Sequence, residues 1–100
     1  MHEDYVEAVL SLVESIPTGR VTSYGAIAEV VGRGGPRQVG NVMSRDGGGV
    51  PWWRVVRADG SPPRCHEGEA RIHYLEEGTP LRPSGSVDLA RAFWQPLNGH

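Results

Sequence analysis

Tyr5, Val6, Val9, Leu10, Leu12, Val13 and Ile16 recur at intervals of three and four residues, the spacing that gathers apolar side chains on one face of a helix. Pro17 and Gly19 close that run, so the first predicted element is an amphipathic helix that ends before a PTGR turn. In VTSYGAIAEVVG the apolar face is Ile27, Ala28, Val30 and Val31, with Thr22 or Ser23 available as the helix cap and Gly32 as the stop. A third helix is predicted near Pro36, with Val39, Val42 and Met43 facing inward and Arg37, Gln38, Asn41 and Arg45 facing outward. Gly40 sits in its middle, at about 1 kcal/mol relative to alanine, which suggests that another backbone comes close there.

The glycine run at 47–49 breaks the chain before VPWWRVVRADGSP, a stretch of β-formers ending in Asp59-Gly60, a tight-turn signal. This predicts a small β-wing. Adjacent strand residues point to opposite faces, so of the neighbouring Trp52 and Trp53 one is expected to face something other than the core. Helical spacing resumes in CHEGEARIHYLEEG through Ala70, Ile72, His73 and Leu75, and Gly78 stops it. Residues 79–100 are rich in proline and glycine and read as mostly extended, with one or two helical turns possible in DLARAFW. The predicted fold class is mainly α with a small β-wing, a winged helix-turn-helix: residues 1–82 form the domain and 83–100 a C-terminal extension. That pattern alone supports a DNA or RNA binder, or a protein-interaction module of the same shape.

Charge and cysteine content narrow this further. The chain of 100 residues has a formal charge of −2, and all ten basic residues are arginine. Six of them, Arg20, Arg33, Arg37, Arg45, Arg54 and Arg57, face only Glu29 and Asp46 within residues 20–57, a local net of +4. Such a segment suits a phosphate backbone and equally describes a solvated arginine surface. Cys65 is the single cysteine, so no intramolecular disulfide can form, and beside His66 it lacks the ligand spacing of a zinc site. No signal peptide or membrane-length apolar run is visible, and the cytoplasm is the expected compartment.

Four segments in order, IPTGRVTSYGAIAEVVG at 16–32, PRQVGNVM at 36–43, VPWWRVVRADG at 50–60 and EARIHYLEEGTPL at 69–81, resemble the O6-alkylguanine-DNA alkyltransferases and their non-enzymatic relatives, the alkyltransferase-like proteins. In the enzymes the third segment reads Pro-Cys-His-Arg-Val, and the cysteine takes the alkyl group with help from the histidine and a glutamate. Here Trp52 stands at the cysteine position and Trp53 at the histidine position, while Glu77 matches the glutamate. An indole offers only a ring N–H donor and no nucleophilic lone pair. The resemblance therefore implies a protein that is not an enzyme, with Glu77 structural.

What the resemblance implies instead is recognition of O6-alkylguanine in duplex DNA by rotating the nucleotide out of the stack. Tyr24 matches the tyrosine that crowds the target phosphate, and Arg37 the arginine that fills the vacated space from the minor groove. Gly40 lets the recognition helix lie close to that groove. Gln38, Asn41 and Arg45 complete the expected DNA face. The lesion pocket is expected from Tyr24, Val50, Pro51, Trp52, Arg54 and Arg64, with Trp52 as an aromatic wall, Arg54 as a brace and Arg64 covering the base by a cation–π contact. Trp53 is expected to pack in the core. The partners implied are lesion-bearing DNA and the damage-recognition proteins of nucleotide excision repair, with a monomer, no cofactor and no metal. The segment between Met43 and Pro51 is about two residues shorter than the family pattern, and Ser44 or Asp46 stands in for its hinge asparagine. Two other readings remain: a winged-helix module that never flips a base, and a repair enzyme using Cys65.

Overall fold

Helix α1 (His2–Glu14) opens the chain, and its three- and four-residue spacing places Val9 and Val13 in the interior. The last turn tightens as the amides of Ser15 and Ile16 donate to the carbonyls of Leu12 and Val13, and Pro17 ends the helix because it has no N–H to continue the ladder. The computed structural model describes residues 2–63 and 66–96. Strand β1 (Thr22–Ser23) leads directly into helix α2 (Tyr24–Val31), where Ser23, not Thr22, is the cap: its Oγ accepts from the Ala26 amide at 3.0 Å. Gly32 stops α2 at φ +81°, a left-handed conformation that glycine adopts without penalty. Helix α3 (Pro36–Asp46) starts on the favoured proline, and Gln38 Oε1 accepts the Gly35 amide at 2.8 Å. As expected, Val39 and Val42 are buried while Arg37, Gln38, Asn41 and Arg45 are exposed.

Helices α1 to α3 enclose one apolar cluster built from Val9, Val13, Ile16, Ile27, Val39 and Val55. A second, around Val21, Val56, Ala70, Tyr74, Val87 and Ala92, lies under helix α4 (Glu67–Glu77) and the C-terminal segment. Between them runs strand β2 (Val55–Val56), paired in parallel with β1 in the register Thr22 to Val55 and Ser23 to Val56. Neighbouring strand residues point to opposite sides, so Val55 joins one cluster and Val56 the other. Among the described residues no helix is long and apolar enough to cross a membrane.

The fold is the expected mainly helical one with a small sheet, but three details differ. The tryptophans occupy a 3-10 turn, Trp52–Arg54, rather than a strand, because Pro51 has no N–H to give to a ladder and the following amides turn back: Trp52 to Val50 and Arg54 to Pro51. Asp59-Gly60 forms the expected tight turn, with the Gly60 amide donating to the Arg57 carbonyl at 2.9 Å. Helix α4 presents Ala70 and Tyr74 to the core, leaving Ile72 58% and Leu75 63% exposed. Its rotation is set by Tyr74, whose hydroxyl donates to the Trp53 carbonyl at 2.6 Å. Finally, the stretch beyond residue 82 contributes Val87 and Ala92 to the second cluster. After helix α5 (Leu89–Ala92), the Val21 amide donates to Ala92 and the Trp94 amide to Val21, which binds the segment alongside the chain entering β1.

Candidate nucleic-acid interface

Tyr24 is the first residue of α2, held there by the Ser23 cap. Arg37, Gly40 and Ser44 succeed one another at helical spacing along α3, so they share a face. Trp52, on the 3-10 turn, lines one cleft of about 870 Å³ together with Tyr24, Arg37 and Gly40. Met43 and the glycines at 47 and 48 also line it. The lining also includes Arg57, Pro63 and, from the α4 region, His66, Glu69 and His73, of which the two histidines pack beside Trp52.

Trp52 is fixed by edge-on and tilted aromatic neighbours, which are favoured by the ring quadrupole. Its ring centroid lies 5.6 Å from Trp53 at 86°, 6.0 Å from His73 at 84°, and 5.3 Å from His66 at 54°. Trp53 turns the other way, stacked on His73 at 3.6 Å and 5°. Its indole Nε1–H donates to Glu77 Oε2 at 2.9 Å. Glu77 also accepts from Arg54 Nη2 at 2.7 Å, Arg54 Nε at 3.1 Å and the Gly19 amide at 3.0 Å. Burial raises the Glu77 carboxyl, but the hydrogen bonds from Arg54, Gly19 and Trp53 and the Arg54 charge outweigh it and hold it below the ordinary value.

The tyrosines behave in the opposite sense. Burial pushes the Tyr24 hydroxyl up, only partly offset by the charge of Arg57. Tyr74 is pushed up further by burial, with Tyr24 and Glu77 adding to it. Both remain neutral hydroxyl donors at physiological pH.

Of the residues expected at the pocket, Tyr24 and Trp52 line the cleft, and Val50, Pro51 and Arg54 do not. Val50 packs on the first cluster. Arg54 points away, bound to Glu77, to the Ile16 carbonyl at 2.9 Å and to Thr18 Oγ1 at 3.3 Å, because the 3-10 turn rotates consecutive side chains instead of alternating them. It braces the turn from behind. Arg64 and Cys65 lie outside the described residues. Of the expected DNA face, Arg37 and Gly40 line the cleft, while Gln38, Asn41 and Arg45 lie on exposed surface beside it. The sequence reading gave Arg57, His66, Glu69 and His73 no place in the pocket. The last three had a signal, a spacing of three and then four residues that places them on one helix face; Arg57 had only its place in the basic segment.

Apart from its own stretch of helix backbone, Gly40 has no heavy atom of the protein within 4 Å of where a Cβ would be built. The close approach suggested by the sequence is therefore not made by the protein itself.

The chain is similar to known proteins along most of its length. Residues 4–77 match the family model described as the DNA binding domain of 6-O-methylguanine DNA methyltransferase. A DNA base-flipping protein of Escherichia coli is 35% identical, over 92% of this chain and 75% of that protein. One of Vibrio parahaemolyticus is 28% identical over 94% of this chain and 99% of its own. Among solved structures, S. pombe Atl1 in complex with damaged DNA containing O6-carboxymethylguanine superposes with a TM-score of 0.82 at 28% identity, covering 94% of this chain and 97% of that one.

Proposed function

The chain belongs to the family of the 6-O-methylguanine DNA methyltransferase DNA-binding domain, on its alkyltransferase-like branch, and on that premise we propose that it binds O6-alkylguanine in duplex DNA, rotates the nucleotide out of the stack and holds it without removing the alkyl group. The observation that carries this is Trp52: it lines the same cleft as Tyr24 and Arg37, at the position where the resemblance calls for a nucleophile. An indole has no lone pair to accept the alkyl group, but its face can pack against a flipped base.

The magnitudes divide the work. Extruding a nucleotide costs roughly a few kcal/mol, whereas an aromatic contact supplies about 0.5–1.5 kcal/mol beyond area burial. Trp52 alone cannot hold the base out. Tyr24, crowding the phosphate, and Arg37, occupying the gap in the stack, provide the remainder. The occupied complex is then what damage-recognition proteins of nucleotide excision repair engage, in the cytoplasm and from a monomeric protein.

The direct test compares duplex oligonucleotides with and without one O6-methylguanine. The lesion duplex should bind more tightly and be recovered with its methyl group intact; equal affinities would end the proposal. Arg37→Ala should weaken lesion binding more than tenfold, which corresponds to about 1.4 kcal/mol. An unchanged dissociation constant would remove Arg37 from the mechanism.

Gly40 gives a prediction of opposite signs. With open space around its would-be Cβ, Gly40→Ala should stabilise the free protein by about 1 kcal/mol through helix propensity. The same methyl should weaken DNA binding by holding α3 off the groove. Thermal melting and DNA titration measure the two; a variant that gains stability and binds DNA as well as wild type would show that no backbone comes close at Gly40.

A further inference from the structure

Arg57 is the cation of the cleft for which the reading above gives no task. It follows β2 immediately, and its backbone is fixed on both sides: its amide donates to the Ser61 carbonyl at 2.9 Å and its carbonyl accepts from Gly60 at 2.9 Å. Val55 and Val56 before it are fully buried, so the base of the side chain is anchored while the residue as a whole is exposed. It shares the cleft with Tyr24 and Trp52.

The two carboxylates on this side of the cleft have partners of their own, although Asp59 also feels the Arg57 charge. Asp59 accepts from the Ser61 amide at 2.9 Å and from Ser61 Oγ at 2.6 Å. Glu69, the acidic residue of the cleft wall, accepts from His66 Nδ1 at 2.9 Å. Among the described residues Arg57 forms no ion pair. Its charge is nevertheless felt at Tyr24, whose hydroxyl it pulls down against the effect of burial. A guanidinium with an anchored backbone and no ion pair among the described residues, lining the cleft beside Tyr24 and Trp52, is arranged to meet an anionic oxygen in bidentate fashion.

We infer that Arg57 is the anion-receiving residue of this cleft, engaging an anionic oxygen of the flipped lesion nucleotide, either its phosphate or a carboxylate carried by the alkyl group. The inference rests on the flipping reading and adds a specificity-determining contact to it.

The experiment titrates wild type, Arg57→Ala and Arg57→Lys with duplexes containing guanine, O6-methylguanine or O6-carboxymethylguanine over a range of salt concentrations. Circular dichroism first confirms that the exposed substitutions leave the fold intact. Arg57→Ala should lose about tenfold in lesion affinity, and Arg57→Lys should recover part of it, because it restores charge but not the planar fork. A phosphate contact gives equal losses for the two adducts and lowers the salt slope by about one. A carboxylate contact confines the loss to O6-carboxymethylguanine and leaves the slope for O6-methylguanine unchanged. If Arg57→Ala binds both lesions as wild type does, or loses as much on unmodified DNA as on lesions, the inference is overturned. Wild type that fails to discriminate lesion from control removes the flipping reading and Arg57's role together, whereas discrimination that survives Arg57→Ala removes only the latter.

Discussion

Glu77→Ala should destabilise the protein by about 2–3 kcal/mol, a fall in melting temperature of about 10–20 °C for a domain of this size. The carboxylate receives four hydrogen bonds, from Trp53, the Gly19 amide and two nitrogens of Arg54. Arg54 and Glu77 keep only 14% and 11% of their side-chain surface exposed. Deleting Glu77 therefore leaves a desolvated guanidinium and two N–H donors without an acceptor, and the penalty for stranding partners exceeds the net value of the bonds themselves. Arg54 retains the Ile16 carbonyl and Thr18, which keeps the loss below that of a fully buried pair.

The same network makes the protein sensitive to acid. Because the folded Glu77 titrates below the ordinary 4.5, the unfolded state takes up its proton first as pH falls. The stabilisation is complete above 4.5 and is lost progressively as pH drops through the lower folded value. Melting curves at falling pH should show this component in wild type and lack it in Glu77→Ala. Asp59, held low chiefly by the Ser61 hydroxyl, contributes an acid dependence of the same sign that persists in the variant. A variant melting within about 2 °C of wild type at neutral pH would show that the network adds nothing.

Gly60→Ala should be more damaging still, at about 3 kcal/mol or more. Gly60 has φ +88°, and a Cβ there would collide with the backbone carbonyl oxygen of Val87. The left-handed conformation alone costs an alanine about 1–3 kcal/mol. The collision adds to it, because Val87 is held at that point by the hydrogen bond its amide donates to the Gly60 carbonyl at 2.9 Å. Relief requires the C-terminal segment to move, taking buried Val87 out of the second cluster. Gly32→Ala is the control: its φ is +81° with nothing within 4 Å of the new Cβ, so it reports backbone strain alone. Equal melting temperatures for the two variants would refute the collision.

Chemical denaturation of these variants also bears on how the C-terminal segment is held. Its packing is mutual: Arg20 Nε and Nη2 reach back to the carbonyls of Ala92 and Phe93 at 3.0 and 2.6 Å, and Val21 bridges Phe93. Loosening at Gly60 should thus be felt at β1, the strand that leads into Tyr24. DNA affinity in Gly60→Ala is expected to fall along with stability.

Helices α1 to α3 were legible from the chain alone, because their information is local: apolar residues at three- and four-residue spacing, a hydroxyl cap at Thr22 or Ser23, Pro36 at a helix start, Gly32 at a stop. So was an indole at residue 52, where the resemblance implies a thiol, since that is a statement about residue type and needs no coordinates. What the chain could not disclose depends on partners far away in sequence. The pairing of Thr22 with Val55 is such a case, as is the rotation of α4 onto Tyr74, where a hydroxyl bonded to Trp53 outweighs the more apolar Ile72 and Leu75. The same holds for the 3-10 turn that sends Arg54 to Glu77 instead of to the cleft, and for the arrival of Arg57, His66 and His73 around Trp52. Periodicity records which face of one element is apolar; which charged and aromatic side chains meet across a cleft is settled only when separate elements pack and each buried polar group takes the partner within its reach.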